Sequence, residues 1–262
     1  ADYHFAFTNL TSALAADAVW FNSNYHRTQF LDGMRDFLSR MPDYAPVDAL
    51  DLVEAKSCVH SPGVTQFAAR GPRRPGPLRI LWSARWEADK NPETFFEALS
   101  VLAARGVEFE LSVVGGACGP TTPAVFAAAR EELRSRITQW GYVEDRSGYE
   151  SVLQEADVVV STAIHEFFGI AIAEAVAAGA FPVVPDRLAY PELLQDAGNA
   201  ARERFFYDGS TAQLVARLAV AADCVKQGDL WQGAPDAGVQ AIRRFDWDQT
   251  ALALDECVCG VG

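Results

Sequence analysis

Long apolar runs are missing from this 262-residue chain. No stretch approaches the ~18 residues that a membrane-crossing helix requires. No C-x-x-C pair occurs, and the five cysteines (Cys58, Cys118, Cys224, Cys257, Cys259) are odd in number and scattered. Cys257 and Cys259 have no second Cys or His pair nearby, so zinc and disulfide frameworks are both set aside and a reducing cytoplasm is expected. An excess of positive charge is also lacking. With 22 Lys and Arg against 35 Asp and Glu, the formal net charge is −13. That argues against broad, non-specific nucleic-acid binding, which depends on neutralising phosphates. A local basic patch stays open, at Arg70, Arg73 and Arg74, at Arg134 and Arg136, at Arg202 and Arg204, or at Arg243 and Arg244, although each cluster reads first as an ordinary solvated face. No secretory signal is visible. The chain opens on Ala1 in mid-pattern and reads as a piece of a longer protein, so a targeting segment upstream stays open.

What is present is an ordinary globular composition, 50% hydrophobic and 22% charged, enough for one large or two modest domains. Residues 1–16 read as a helix, 18–23 as a strand, and a second helix runs to about Met41. A short helix falls between Asp43 and Ala55, and Cys58-Val59-His60 is a short strand. Two strands are too few for a parallel sheet, so 1–68 reads as the tail end of a domain. Arg70-Gly71-Pro72-Arg73-Arg74-Pro75-Gly76-Pro77 marks a linker over 69–77.

Beyond it, strands are expected near Arg79–Ser83, Phe109–Val114, Ile137–Trp140, Val158–Ser161, Phe181–Val184 and Arg204–Tyr207. Helices are expected between them, near Pro92–Arg105, Pro123–Arg136, Gly148–Glu155, Gly169–Gly179 and Tyr190–Leu194. The alternation predicts an α/β fold with a doubly wound parallel sheet over 78–245. Residues 246–262 are expected to form a C-terminal helix packing across the domains, with Phe245 and Trp247 as anchors.

The chemistry concentrates in His165-Glu166-Phe167-Phe168-Gly169-Ile170-Ala171-Ile172-Ala173-Glu174-Ala175. This segment follows the buried strand Val158-Val159-Val160 and opens a helix, the place where βαβ units bind ligands. Gly169 lets backbone approach a ligand, and first-turn amides suit a phosphate. Glutamates near a helix start are often only dipole-favoured residues. Glu174, however, sits in an otherwise apolar helix, where a carboxylate needs a partner. At about 1.5 Å per residue the eight-residue spacing spans roughly 12 Å, about the length of a nucleotide-linked sugar.

Arg85 and Lys90, just past the first strand of the sheet, are expected to face the same crevice. An arginine fork and a lysine point charge suit a departing diphosphate. The alternative is that they pair with Glu87, Asp89 or Glu93 in a solvated loop. Asp246-Trp247-Asp248 spells a metal-binding D-x-D, but it lies away from any strand end and is read as structural.

Together these pieces resemble the retaining glycosyltransferases of family 4. The resemblance rests on the Arg85…Lys90 loop, Val113-Val114-Gly115-Gly116, Trp140-Gly141-Tyr142-Val143 and Glu166-x7-Glu174. A narrower resemblance is to the tRNA-queuosine mannosyltransferases. It is carried by Asp2-Tyr3-His4, Leu14–Ser23, Trp86–Phe96, Ser161–Gly169 and Tyr190-Pro191-Glu192-Leu193.

The resemblance implies a GT-B fold: a complete C-terminal Rossmann-like donor domain, plus the C-terminal remnant of an N-terminal Rossmann-like domain. It implies transfer of mannose from GDP-mannose onto queuosine in tRNA, with retention and without metal or other cofactor. Catalytic roles fall to Arg85, Lys90 and Glu166. Gly141, Tyr142, Phe168, Gly169, Ile170 and Glu174 would bind the donor, with Glu174 on the ribose, and the donor phosphate would take the acceptor's proton. Arg70, Arg73 and Arg74 are the candidates for contacting tRNA. The family's early glycine-rich loop and histidine motif are absent, His4 being the only early histidine. A family 4 enzyme with a lipid or saccharide acceptor, and a non-catalytic nucleotide-sugar-binding fragment, stay open as alternatives. An epimerase on the same fold would need acid–base pairs that four histidines do not supply.

Overall fold

A computed structural model of the chain describes residues 4–42, 44–67, 70–117 and 123–260. Asp2, Tyr3, Asp43, Ala69 and Cys118, which enter the expectations above, lie outside the described residues. The chain divides into two compact units, Ala1–Gly63 with Trp247–Gly262, and Val64–Asp246.

The first unit contains α1 (His4–Ala15), β1 (Val19–Phe21), α2 (Asn24–Ser39), α3 (Ala49–Ala55), β2 (Ser57–Val59) and, at the chain's end, α12 (Trp247–Gly260). β1 and β2 pair in parallel, Val19 opposite Ser57 and Phe21 opposite Val59. The Ser23 side chain caps α2 by accepting from the His26 amide. The spacing of Leu31, Met34 and Leu38 then turns one face of that helix inward. Lys56 donates to the carbonyls of Leu14 (2.8 Å) and Ala16, closing the end of α1 where the helix dipole is negative. Trp247, expected as a buried anchor, is 59% exposed, its indole lying beside Gly63.

The second unit is a six-stranded parallel sheet of β3 (Leu78–Ser83), β4 (Phe109–Val114), β5 (Ile137–Gly141), β6 (Val158–Val160), β7 (Phe181–Pro185) and β8 (Phe206–Tyr207). Its helices are α4 (Pro92–Ala104), α5 (Ala124–Glu132), α6 (Arg146–Glu155), α7 (Ile170–Ala177), α8 (Tyr190–Leu193), α9 (Asn199–Phe205), α10 (Thr211–Lys226) and α11 (Ala237–Ile242). The spatial order is β5-β4-β3-β6-β7-β8, so chain order reverses between β3 and β6. That reversal is the switch point at which a doubly wound sheet opens a crevice. β6 and β7 are buried at every position, as strands covered on both faces must be.

Two expected elements differ. Arg204 and Phe205 end α9, which leaves β8 only two residues long. The expected helix to Arg136 stops at Glu132, and a single 3-10 turn, Arg134–Arg136, leads into β5.

The arginine-rich segment is not a free linker. Asp157, 1% exposed at the root of β6, accepts from Arg70 Nη2 (3.2 Å), from Arg73 Nε and Nη2 (2.8 and 2.7 Å) and from the Arg79 amide (2.9 Å). Arg70 also donates to the carbonyls of Glu155 and Ala156. These groups lie at the amino ends of the strands. The expectation that Arg70 and Arg73 contact RNA is therefore corrected: their guanidinium groups are committed to Asp157, because a buried carboxylate demands partners. Arg74 pairs with Glu155 at the surface. Asp157→Asn should lower unfolding stability by about 3 kcal/mol, since it leaves two cations without their anion. The urea midpoint should fall at unchanged denaturant slope.

Candidate functional site

The carboxyl ends of β3, β4 and β5 are drawn together by backbone. The Ala84 amide donates to Val114 O (3.1 Å), the Trp86 amide to Gly116 O (3.0 Å) and the Gly115 amide to Gly141 O (3.2 Å). A Cβ on Gly115, whose φ is +130°, would stand 2.0 Å from Ala84 O, so only glycine permits this approach. Beneath these ends lies an aromatic floor: Trp86 stacks on Phe126 at 4.3 Å, with Trp82, Phe95, Phe96 and Trp140 around them.

Above the floor opens a cleft of about 700 Å³, walled by Arg85, Gly116, Tyr142, Glu144, Arg146, Tyr149 and Glu174 among others. Ser83 and Ala84 also line a second pocket of about 30 Å³, with Lys90, Glu166, Gly169 and Tyr190. The two pockets therefore share a wall at the end of β3. Glu174 belongs to the larger and Glu166 to the smaller.

Glu174, on the second turn of α7, has the partners that its apolar setting requires. Arg146 donates to Oε1 (3.1 Å) and the Tyr149 hydroxyl to Oε2 (3.0 Å). Arg146 and Tyr149 lie three positions apart on α6, hence on one face of that helix. Asp145 starts α6 by accepting from the Gly148 amide (2.7 Å). Hydrogen bonds from Ser147 and Gly148 hold its carboxyl below the usual range. Burial, and then the neighbouring Glu174 charge, push the Tyr149 phenol up to about 12.

Glu166 is bound on both oxygens. Oε1 accepts from the amides of Phe167 (3.1 Å) and Phe168 (3.4 Å), and Oε2 from Lys90 Nζ (3.3 Å). Lys90 is 11% exposed and also meets Asp89 (3.2 Å) and His165 O (2.9 Å). Gly169, with φ +90°, admits the Tyr190 ring, which a Cβ would meet at 2.9 Å. Tyr190 in turn bonds the Ser161 hydroxyl at 2.6 Å.

Of the residues expected to act together, Lys90, Glu166 and Gly169 share the small pocket, and Arg85, Tyr142 and Glu174 share the large one. Arg85 is 58% exposed and pairs with Glu87 at 3.0 Å, the alternative weighed for it above. The Phe168 amide is taken by Glu166 and its ring packs edge-on against Phe245, so it is a core residue. Gly141 gives its carbonyl to Gly115. Ile170 is partly exposed at the start of α7, where first-turn amides have no partner within the helix. Arg146 and Tyr149 were not anticipated. The one signal for them was their place in the loop and helix after β5, which had to converge on the same crevice. Among the described residues no three His, Cys, Asp or Glu side chains cluster as a metal site would need.

An open parallel sheet whose switch-point crevice gathers two glutamates and a lysine defines a doubly wound α/β domain with a ligand-sized cleft at the carboxyl ends of its strands. The sequence profile described as "Glycosyl transferases group 1" matches residues 77–222, and the chain belongs to that family. The profile described as "tRNA-queuosine alpha-mannosyltransferase N-terminal" matches residues 1–64.

Among curated relatives, the tRNA-queuosine alpha-mannosyltransferase of Drosophila melanogaster is 33% identical over 227 residues, covering 78% of this chain and 58% of that one. The GDP-mannose:cellobiosyl-diphosphopolyprenol alpha-mannosyltransferase of Xanthomonas campestris is 25% identical over 187 residues, covering 70% and 47%. The chain thus spans about half the length of these relatives. Sucrose-phosphate synthase from Thermosynechococcus elongatus shares the fold at TM-score 0.74 and 16% identity, over 99% of this chain and 62% of that one. The pneumococcal O-GlcNAc transferase GtfA does so at TM-score 0.69 and 14% identity, over 99% and 47%.

The raised phenol of Tyr149 has a measurable consequence. Folding favours its protonated form, so its contribution is complete below pH 10 and is lost as pH rises towards 12. Wild type should lose about 2 kcal/mol more than Tyr149→Phe across that window, as urea titrations at each pH would read.

Proposed function

We propose that the full-length protein is a retaining glycosyltransferase that moves mannose from GDP-mannose onto queuosine in tRNA, working in the cytoplasm without a metal. The observation that carries this reading is the pair of adjoining pockets at the switch point, one holding Glu174 and the other Glu166 with Lys90. The acceptor part is supported by the match of residues 1–64 and by the fly relative, and the donor part by the bacterial relative named for GDP-mannose. No helix among the described residues is long and apolar enough to cross a membrane.

In this reading the nucleotide occupies the larger cleft, with the base past Tyr142 and the ribose hydroxyls donating to Glu174. The sugar sits against Glu166, whose orientation is held by two backbone amides and Lys90. The first-turn amides of α7 and the cations Lys90 and Arg85 face the diphosphate. Charge grows on that group as the glycosidic bond breaks, and fixed cations stabilise the growing charge most. No side chain in either pocket is an evident general base. The leaving phosphate oxygen on the same face accepts the proton of the attacking hydroxyl, which gives retention.

Labelled GDP-mannose should enter queuosine-containing tRNA and not tRNA lacking queuosine. Label in both tRNAs equally, or in a lipid or saccharide instead, would refute the acceptor assignment. Lys90→Met should lower kcat by on the order of 10²–10³ with a smaller change in KM. Glu174→Ala should weaken GDP binding by about 1–3 kcal/mol in calorimetry.

A further inference from the structure

Unlike Glu166 and Gly169 of the same segment, His165 lines neither pocket. Its backbone is unusually well secured. The Ile164 amide donates to Asp89 O (2.9 Å), the Thr162 hydroxyl to Lys90 O (2.7 Å), Arg187 Nη2 to Ala163 O (3.2 Å) and Lys90 Nζ to His165 O itself (2.9 Å). While Glu166 turns inward to those partners, the imidazole is exposed. The Phe167 ring stands against it at 4.5 Å and 70°, an edge-on contact that backs the exposed imidazole on one side.

An exposed aromatic ring on a locked backbone loses little freedom when something stacks on it. RNA is read chiefly through unpaired bases that stack on rings, histidine among them. A chain of net charge −13 also gains little from phosphate contacts, which shifts recognition towards the base.

We propose that His165, backed by Phe167, is the stacking platform for the acceptor's nucleobase, placed one residue from the glutamate that holds the sugar. This rests on the RNA acceptor named under the proposed function and adds the residue that recognises it.

The test uses the full-length protein, GDP-mannose and queuosine-containing tRNA. His165→Ala should raise the KM for tRNA by on the order of tenfold, the loss expected for one base–aromatic stack. GDP affinity should not change, because the Lys90 bond is to the His165 carbonyl and survives the substitution. His165→Phe should restore the tRNA KM, and His165→Gln should not. An unchanged tRNA KM in the alanine variant would overturn the proposal, as would a parallel loss of GDP affinity or an equal rescue by glutamine. If the wild-type protein labels no tRNA, the acceptor reading itself fails and the platform falls with it. That result is distinct from every outcome with the variants.

Discussion

The crevice exists because the sheet reverses direction between β3 and β6, and one buried carboxylate holds that reversal together. Asp157 donates its amide to Arg79 O at 2.9 Å and accepts from the Phe181 amide at 2.8 Å, so its backbone joins β3, β6 and β7. Its side chain gathers Arg70, Arg73 and the Arg79 amide. Burying an anion is tolerable only with its lone pairs filled, and here four donor atoms converge on two oxygens. Burial also lowers the Arg70 pKa, opposed by the nearby Asp157, so this cation too depends on the pair. The far ends of the same strands carry Ser83 and Ser161, which line the small pocket. A slip at the root would move both.

Much of the second unit could be read directly. β6 and β7, buried on both faces, spell continuous apolar runs, β3 and β4 keep apolar residues at their buried positions, and Pro92 at the start of α4 marked a helix start. β8 could not be read this way, because two residues carry no periodicity and Arg204-Phe205 before it belong to α9. The glutamate pair stood out because a carboxylate inside an apolar helix needs explanation from neighbours the sequence does not adjoin. Those neighbours, Arg146 and Tyr149, are 28 and 25 positions away, on another helix. The arginine cluster was misread for the same reason. Its partner Asp157 lies 87 positions beyond Arg70, within what reads as an ordinary strand entry. Charge visible in sequence reports potential partners, and only tertiary structure says which are already taken.

The two glutamates are held in different ways, which fits the separate tasks proposed for them. Glu166 is fixed by amides of its own loop and by a mostly buried lysine, so its oxygens are oriented before any ligand arrives. Such preorganisation suits a group aimed at a reacting sugar, where reorientation would add to the barrier. Glu174 is held by side chains from α6, one of them at the surface. Arg146 is half exposed and also bonded to Glu150 at 2.8 Å.

That asymmetry bears on how a ribose would be received. An ionised carboxylate offers about four lone-pair sites, of which Glu174 uses two on the chain's own donors. Two hydroxyls can therefore be accepted without expelling either partner. If the cleft narrows, Arg146 is the one that can yield, since Glu150 keeps its charge paired at the surface. Tyr149 cannot leave at the same cost. Its hydroxyl lies between Ser83 and Glu174 at 3.4 and 3.0 Å, at the wall common to both pockets. With its pKa pushed up to about 12, it remains a donor at any physiological pH. The phenol thus ties Glu174 to the end of β3, and through Ser83 to the strand whose root Asp157 secures.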